Sequence, residues 1–255
     1  MAEALFWAAL AGYAVAAVAY LRLGRVGTWG VRLGWLAQTA LLGVQAADAD
    51  GFPWAGWAGS LNLFVWLVVG AYLIWGCKPR YRLLGLAVMP LATVLLAVSY
   101  AGGGTTGDAS GYSTLFLVAH VGLVLAAFAG FTLAAGLSAL YVWQERRLKR
   151  RESSILRLHV PGLAKLDDVA ARTIAVALPA LTLGVAVGVA RLEDRGGSFD
   201  ALMVVTLATW VVYAAYLALR HFAGWRGRRA AYLVLAGFVL VAVVRLALPV
   251  THFAT

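Results

Sequence analysis

The 255-residue sequence is poor in cysteine and in acidic residues. The single cysteine, Cys77, excludes an internal disulfide and a metal cluster built from several thiolates. No apolar segment contains a buried carboxylate, the group with which transporters usually relay protons or bind cations. This absence argues against a transporter of either kind. The chain also lacks a nucleophile elbow, a phosphate-binding loop and a dinucleotide fingerprint, which argues against hydrolase, kinase and dehydrogenase functions.

Apolar residues dominate what is present. Hydrophobic residues make up 63% of the chain and charged residues 13%, with a mean hydropathy of +0.84. Because a helix needs about 20 apolar residues to cross a bilayer, this composition predicts an all-α, polytopic integral membrane protein with about eight transmembrane helices. The apolar segments lie near residues 4–22, 30–47, 58–77, 82–100, 112–144, 171–190, 199–220 and 229–250.

The fifth apolar segment and the connection after it are both unusually long. The fifth segment is longer than a membrane is thick, so we expect its end to project into the cytoplasm. The connection that follows it, through Pro161, Gly162, Asp167 and Asp168, is expected to be an interfacial loop.

Basic and acidic residues alternate between the connections. Arginine and lysine cluster in the first, third, fifth and seventh connections, whereas the other connections carry mostly aspartate and glutamate. Because basic connections stay in the cytoplasm, both chain termini are expected outside. The net charge of +10 therefore reflects membrane topology and does not indicate a nucleic-acid partner. We expect a multi-pass protein of a bacterial-type inner, or plasma, membrane.

Two histidines, His120 and His252, lie at the outer ends of the fifth and eighth segments. An imidazole is costly in lipid without a partner, and its neutral nitrogen is a good axial ligand for haem iron. His120 lies roughly 12 Å below the outer surface at helical rise, so both side chains can reach one outer cavity. The pair therefore suggests a bis-histidine haem, most simply haem b. The alternative is that His120 bonds to a neighbouring helix and His252 is solvated.

Charged and aromatic residues extend this candidate site. Arg245 lies two helical turns before His252, and a guanidinium in the membrane needs an anion such as a haem propionate. Alternatively, Arg245 reaches the outer interface or pairs with a nearby carboxylate. Arg191 offers a second anion contact at the mouth of the site. Trp54 and Trp57, in an outer connection, either anchor the chain at the interface or form an apolar platform.

The second half of the chain carries a series of short motifs. In order they are His120-Val121-Gly122, Leu140-Tyr141-Val142-Trp143-Gln144-Glu145-Arg146, Pro161-Gly162-Leu163 with Leu166-Asp167, Thr209-Trp210-Val211-Val212-Tyr213, Gly224-Trp225-Arg226-Gly227-Arg228-Arg229-Ala230-Ala231 and His252-Phe253. This series resembles the cytochrome c assembly membrane protein family, the haem-handling proteins of CcsA and CcmC type, and within it the short eight-span, HemX-like branch.

The resemblance implies that His120 and His252 are the axial ligands of haem. The sequence departs from the family's pattern at two places. This chain has Phe199-Asp200 where the family's tryptophan-rich motif closes with Trp-Asp, and Gln38 where members often have a histidine in an early span. The resemblance therefore favours a haem carrier or chaperone, without the aromatic surface of a full synthetase, over an enzyme.

We interpret residues 1–255 as a single transmembrane domain, with four N-terminal spans in residues 1–100 and a family-like core in residues 112–255. The leading hypothesis is a haem-binding membrane protein that holds or transfers haem at the outer leaflet, with membrane proteins or an apocytochrome as partners. The alternative is a HemX-like regulatory or complex-stabilising protein acting on haem biosynthesis, with the basic connection 146–172 as its docking surface.

Overall fold

In the computed structural model, the described residues form eight α-helices and no strand. The helices are α1 (Ala2–Arg22), α2 (Gly24–Asp48), α3 (Trp57–Gly76), α4 (Arg82–Ala101), α5 (Thr114–Lys149), α6 (Leu163–Arg195), α7 (Ala201–Phe222) and α8 (Arg228–Ala247). The structure describes residues 1–22, 24–49, 51–54, 56–76, 81–103, 113–151, 161–195 and 201–247; for residues 22, 24, 75–76, 82, 191–195, 201–202, 241 and 243–247 it describes the backbone alone.

Each helix overlaps one predicted apolar segment, which confirms an all-α, polytopic membrane protein. Within the described ranges, six helices are long and apolar enough to cross a membrane: α1, α3, α4, α5, α6 and α7. The sequence of α2 is less apolar because it contains Arg25 and Arg32. Arginine lowers the hydropathy of a segment more than most residues do.

The fifth and sixth helices differ from the other helices in length. α5 contains 36 residues, roughly 54 Å at 1.5 Å per residue, which confirms an over-long fifth helix. The expectation of an interfacial loop through residues 161–168 is wrong from Leu163 onward, because α6 begins there. Leu166 is fully buried, and Asp167 and Asp168 in the second turn form ion pairs with Arg220 and Arg172. This first part of α6 is amphipathic, which hid it from a search for apolar runs.

The chain divides into two compact units, and the first unit is Met1–Val121. Within it, α1 contacts α2 and α4, and α3 contacts the same two helices, so the four helices form a closed ring. α1 and α2 approach closely at glycines: a Cβ on Gly12 would lie 2.7 Å from the Cα of Gly34, and one on Gly30 would lie 2.9 Å from the Gly12 carbonyl oxygen. Small residues allow such backbone contact between membrane helices.

The second unit is Gly122–Ala254. Its α7 contacts α6 and α8, and it meets α5 where Tyr213 stacks on Phe131 with ring centroids 3.9 Å apart. The Tyr213 hydroxyl also donates to the Val234 carbonyl of α8 at 3.4 Å. α5 and α6 approach at Gly130, where a Cβ would lie 2.8 Å from the Ala177 Cβ. An aromatic stack and small residues thus join the helices of this unit.

Candidate functional site

His120 lies near the start of α5, in the part of that helix that belongs to the first unit. Its side chain is half-buried, and its imidazole lies parallel to the Phe116 ring one turn earlier, with centroids 5.7 Å apart and an interplanar angle of 1°. Stacking on a neighbouring ring restricts the orientation of the imidazole. A half-buried imidazole held in this way in an apolar helix can present a nitrogen as a ligand.

The other predicted ligand residues are described in part or not at all. His252 lies outside the described residues, and Arg245 in α8 and Arg191 in α6 have only their backbone described. The pairing of His120 with His252 therefore stays a prediction. Among the described residues, no group of three or more His, Cys, Asp or Glu side chains could hold a metal ion.

Trp54 and Trp57 lie at the same end of the first unit but have different surroundings. The Trp54 indole N–H donates to Gln45 Oε1 at 3.3 Å, and its ring meets Phe52 edge-on at 5.4 Å. Trp57 is the first residue of α3 and is 43% exposed. Trp54 is thus held by a polar contact, whereas the Trp57 ring is accessible.

A cavity of about 600 Å³ opens at this end of the first unit. The start of α1, the end of α2, the start of α3 and the end of α4 line it. Its polar lining consists of Glu3, Gln45, Asp48, Asn62, Ser99 and Tyr100. Because the described lining contains two carboxylates and no basic side chain, the cavity suits a neutral or cationic group better than a haem propionate.

A buried polar network runs from the cavity into the first unit. The Tyr13 hydroxyl donates to Gln38 Oε1 at 2.6 Å, and Gln38 Nε2 donates to Asn62 Oδ1 at 2.8 Å and to the Asn62 carbonyl at 3.1 Å. Asn62 Nδ2 then donates to Gln45 Oε1 at 3.2 Å. Tyr13 and Gln38 are fully buried. Both ends of the Gln38 amide are therefore engaged in joining α1, α2 and α3.

Sequence reasoning missed this network and treated Gln38 only as a replacement for a histidine. The available signal was the presence of polar Gln38 and Asn62 inside apolar segments, where an unpaired amide is costly. That signal predicts that each amide has a partner, but the partners depend on which helix faces meet.

The second unit has a basic end, formed by the end of α5, the start of α6, the end of α7 and the start of α8. Here Asp167 accepts twice: Oδ2 from Arg220 Nη1 at 2.7 Å and Oδ1 from the Gly227 backbone N–H at 3.0 Å. The Asp167 and Arg220 side chains are 11% and 16% exposed. Asp167 therefore joins two of the motifs that the sequence analysis singled out, Leu166-Asp167 and the stretch from Gly224 to Ala231.

The fold defines a multi-pass helical membrane protein, and comparison with known proteins gives its family. The sequence pattern of the family described as Cytochrome C assembly protein matches residues 54–251. The relatives it resembles include the cytochrome c biogenesis protein CcsA of Gloeothece citriformis, 26% identical over 93% of this chain and 87% of the relative. Two more proteins of that name are those of Prochlorococcus marinus (29% identical, over 84% of this chain and 77% of the relative) and Mesostigma viride (26%, over 84% and 80%).

Because the family match covers more than half of the chain, the protein belongs to the cytochrome c assembly protein family. The match begins at residue 54, in the connection that holds Trp54 and Trp57, and so includes α3 and α4 as well as the motifs from His120 to Ala231; it ends one residue before His252.

Proposed function

We propose that the protein binds one haem at the outer leaflet, with His120 and His252 as its two axial ligands, and holds or transfers that haem in cytochrome c assembly. The observation that carries the proposal is the half-buried imidazole of His120, stacked on Phe116 in an apolar helix. Membership in the cytochrome c assembly protein family supports the same function.

The residues of this chain fit such a group by their donor chemistry. When bound, haem supplies an iron with two axial positions that neutral imidazole nitrogens can fill. His120 provides one nitrogen, and Phe116 restricts the rotation of its ring. His252 provides the second nitrogen. Arg245 and Arg191 provide positive charge for the propionates, since guanidinium groups bind carboxylates through paired hydrogen bonds.

The cavity of the first unit is not part of the proposed haem site. Glu3 and Asp48 in its lining would repel propionates, and its described lining contains no histidine. The proposal therefore depends on α5 and the end of the chain.

In this proposal the protein is a carrier or chaperone and not an enzyme. It ligates and orients a haem, most simply haem b, and passes it to an apocytochrome or a partner membrane protein. The sequence from Arg191 to Asp200 lacks the tryptophan-rich motif of full synthetases, which favours holding or passing haem over attaching it.

Absorption spectra of the purified protein test the proposal. We expect a Soret band and the visible bands of a six-coordinate, low-spin haem. His120→Ala or His252→Ala should give a five-coordinate spectrum or loss of haem. His159→Ala is the matched control, because the charge pattern predicts that His159 lies on the opposite side of the membrane. A colourless protein that takes up no added haem would contradict the proposal and favour a HemX-like regulatory role.

A further inference from the structure

Two arginines from different helices converge on one tyrosine at the basic end of the second unit. Arg146 lies in the last turns of α5, and its Nη2 donates to the Tyr232 hydroxyl at 3.1 Å. Arg228 begins α8, one turn before Tyr232, and its guanidinium carbon lies 5.4 Å from the centroid of the same ring. Two positive charges thus approach a group that carries no negative charge.

The carboxylates of this end are engaged elsewhere. The ion pairs between described residues are Glu145 with Lys149 at 2.7 Å, Asp167 with Arg220 at 2.7 Å and Asp168 with Arg172 at 3.0 Å. Among the described residues, therefore, no carboxylate lies within ion-pair distance of Arg146 or Arg228. Like charges that converge without a counter-ion repel each other, and an anion between them would reverse the sign of that interaction.

The donors present match the acceptors of a phosphate group. Each guanidinium offers a planar fork of N–H donors, and paired hydrogen bonds from arginine to phosphate are short and charge-assisted. The Tyr232 hydroxyl adds a third donor, and its side chain is 37% exposed and so accessible. A phosphate group offers several oxygen acceptors and the negative charge that this end lacks.

We propose that Arg146, Arg228 and Tyr232 form a binding site for a phosphate group. The charge pattern of the sequence predicts that this end lies on the cytoplasmic side of the membrane, where the headgroups of anionic phospholipids and free phosphate are both present. The phosphate can belong to the headgroup of an anionic phospholipid or to free phosphate in the cytoplasm. The proposal uses none of the residues of the haem proposal, and its outcome does not depend on haem binding.

Phosphorus NMR line widths in a neutral detergent test the site. Intact protein is titrated with inorganic phosphate and, separately, with dihexanoyl phosphatidylglycerol. We expect saturable binding in at least one titration. Arg146→Gln and Arg228→Gln should each weaken it about tenfold, because each removes a charge-assisted, paired contact. Tyr232→Phe should weaken it about threefold, because it removes one neutral hydrogen bond.

Three control variants distinguish a specific phosphate site from nonspecific attraction of phosphate to the positive charge of this end. Arg172→Gln removes one positive charge from the same end, but Arg172 pairs with Asp168, so we expect little change in affinity. Arg146→Lys and Arg228→Lys keep the charge and lose the planar fork, so they should weaken binding less than the glutamine variants do. The lysine variants also keep the test decisive if a glutamine variant does not fold.

The pattern of binding decides the outcome. Binding of phosphatidylglycerol alone assigns the site to a lipid headgroup, and binding of inorganic phosphate alone assigns it to a free phosphate; either result supports the site. The proposal is overturned if neither probe binds, or if Arg172→Gln weakens binding as much as Arg146→Gln.

Discussion

Asp167 and Arg220 form a largely buried ion pair, with 2.7 Å between Oδ2 and Nη1, although 53 positions separate them in the chain. The other carboxylate oxygen accepts the backbone N–H of Gly227 at 3.0 Å. One carboxylate therefore joins the start of α6 to the end of α7 and to the turn before α8. The neighbouring pair, Asp168 with Arg172, lies within one helix and is far more exposed, with side chains 41% and 69% accessible.

Removing the Asp167 carboxylate should destabilise the second unit. Asp167→Ala leaves Arg220 buried without a counter-ion and the Gly227 N–H without an acceptor, which should lower the free energy of unfolding by about 2–4 kcal/mol. Unfolding in mixed micelles with increasing sodium dodecyl sulfate, followed by circular dichroism, measures the change. Asp168→Ala is the matched control and should cost less than about 1 kcal/mol, because exposed pairs contribute little. Equal losses in the two variants would contradict the account of Asp167.

Gln38 should stabilise the first unit through its hydrogen bonds. Gln38→Leu removes the acceptor of the Tyr13 hydroxyl and the donor to Asn62 Oδ1, and should lower the free energy of unfolding by about 2 kcal/mol. Tyr13→Phe removes a single bond and should cost about 0.6 kcal/mol in the same assay. A Gln38→Leu variant as stable as the original protein would show that the network contributes nothing to stability.

Replacing Gly12 by alanine should destabilise the first unit, because α1 and α2 are in close contact at this residue. A Cβ there would lie 2.7 Å from the Gly34 Cα and 2.9 Å from the Gly30 carbonyl oxygen, and backbone cannot move aside as a side chain can. Gly12→Ala should therefore lower the free energy of unfolding by about 1–3 kcal/mol.

Gly43 is the control for that substitution, because a Cβ at Gly43 meets nothing within 4 Å. Gly43→Ala should leave stability unchanged or raise it by up to about 1 kcal/mol, since alanine favours a helix over glycine. If Gly12→Ala behaves like Gly43→Ala, the contact of α1 and α2 is not as close as described.

The apolar pattern predicted every helix, because burial in lipid requires long runs of apolar residues and each run is a local property of the sequence. The search for apolar runs failed at residues 163–168. There the buried Leu166 is followed by Asp167, which forms an ion pair with Arg220. An amphipathic helix start of this kind has no long apolar run to reveal it.

The side-chain networks could not be predicted, because they depend on contacts between distant helices. Asp167 was a visible motif residue, but nothing local indicates that Arg220 is its partner. Likewise, the convergence of Arg146 and Arg228 on Tyr232 depends on the end of α5 lying near the start of α8. His120 could be singled out because a single imidazole in an apolar helix is unusual by itself.

The orientation of the chain in the membrane can be tested by cysteine labelling, once the single native cysteine is replaced. In a Cys77→Ser background, Ser110→Cys should react with a membrane-impermeant maleimide in intact spheroplasts, whereas Ser153→Cys should react only after the membrane is opened. We expect this difference because the excess of basic residues around Arg150 keeps the connection that contains Ser153 in the cytoplasm. The reverse labelling would place His120 near the cytoplasmic side and contradict haem handling at the outer leaflet.

The central claim is that His120 and His252 together ligate one haem, and the double variant tests it most directly. Haem content and the absorption spectrum are measured for the purified His120→Ala, His252→Ala double variant beside the original protein and His159→Ala. We expect the double variant to lose its haem and its low-spin bands, with His159→Ala unchanged. A double variant that keeps the full haem content and a six-coordinate, low-spin spectrum would contradict the claim.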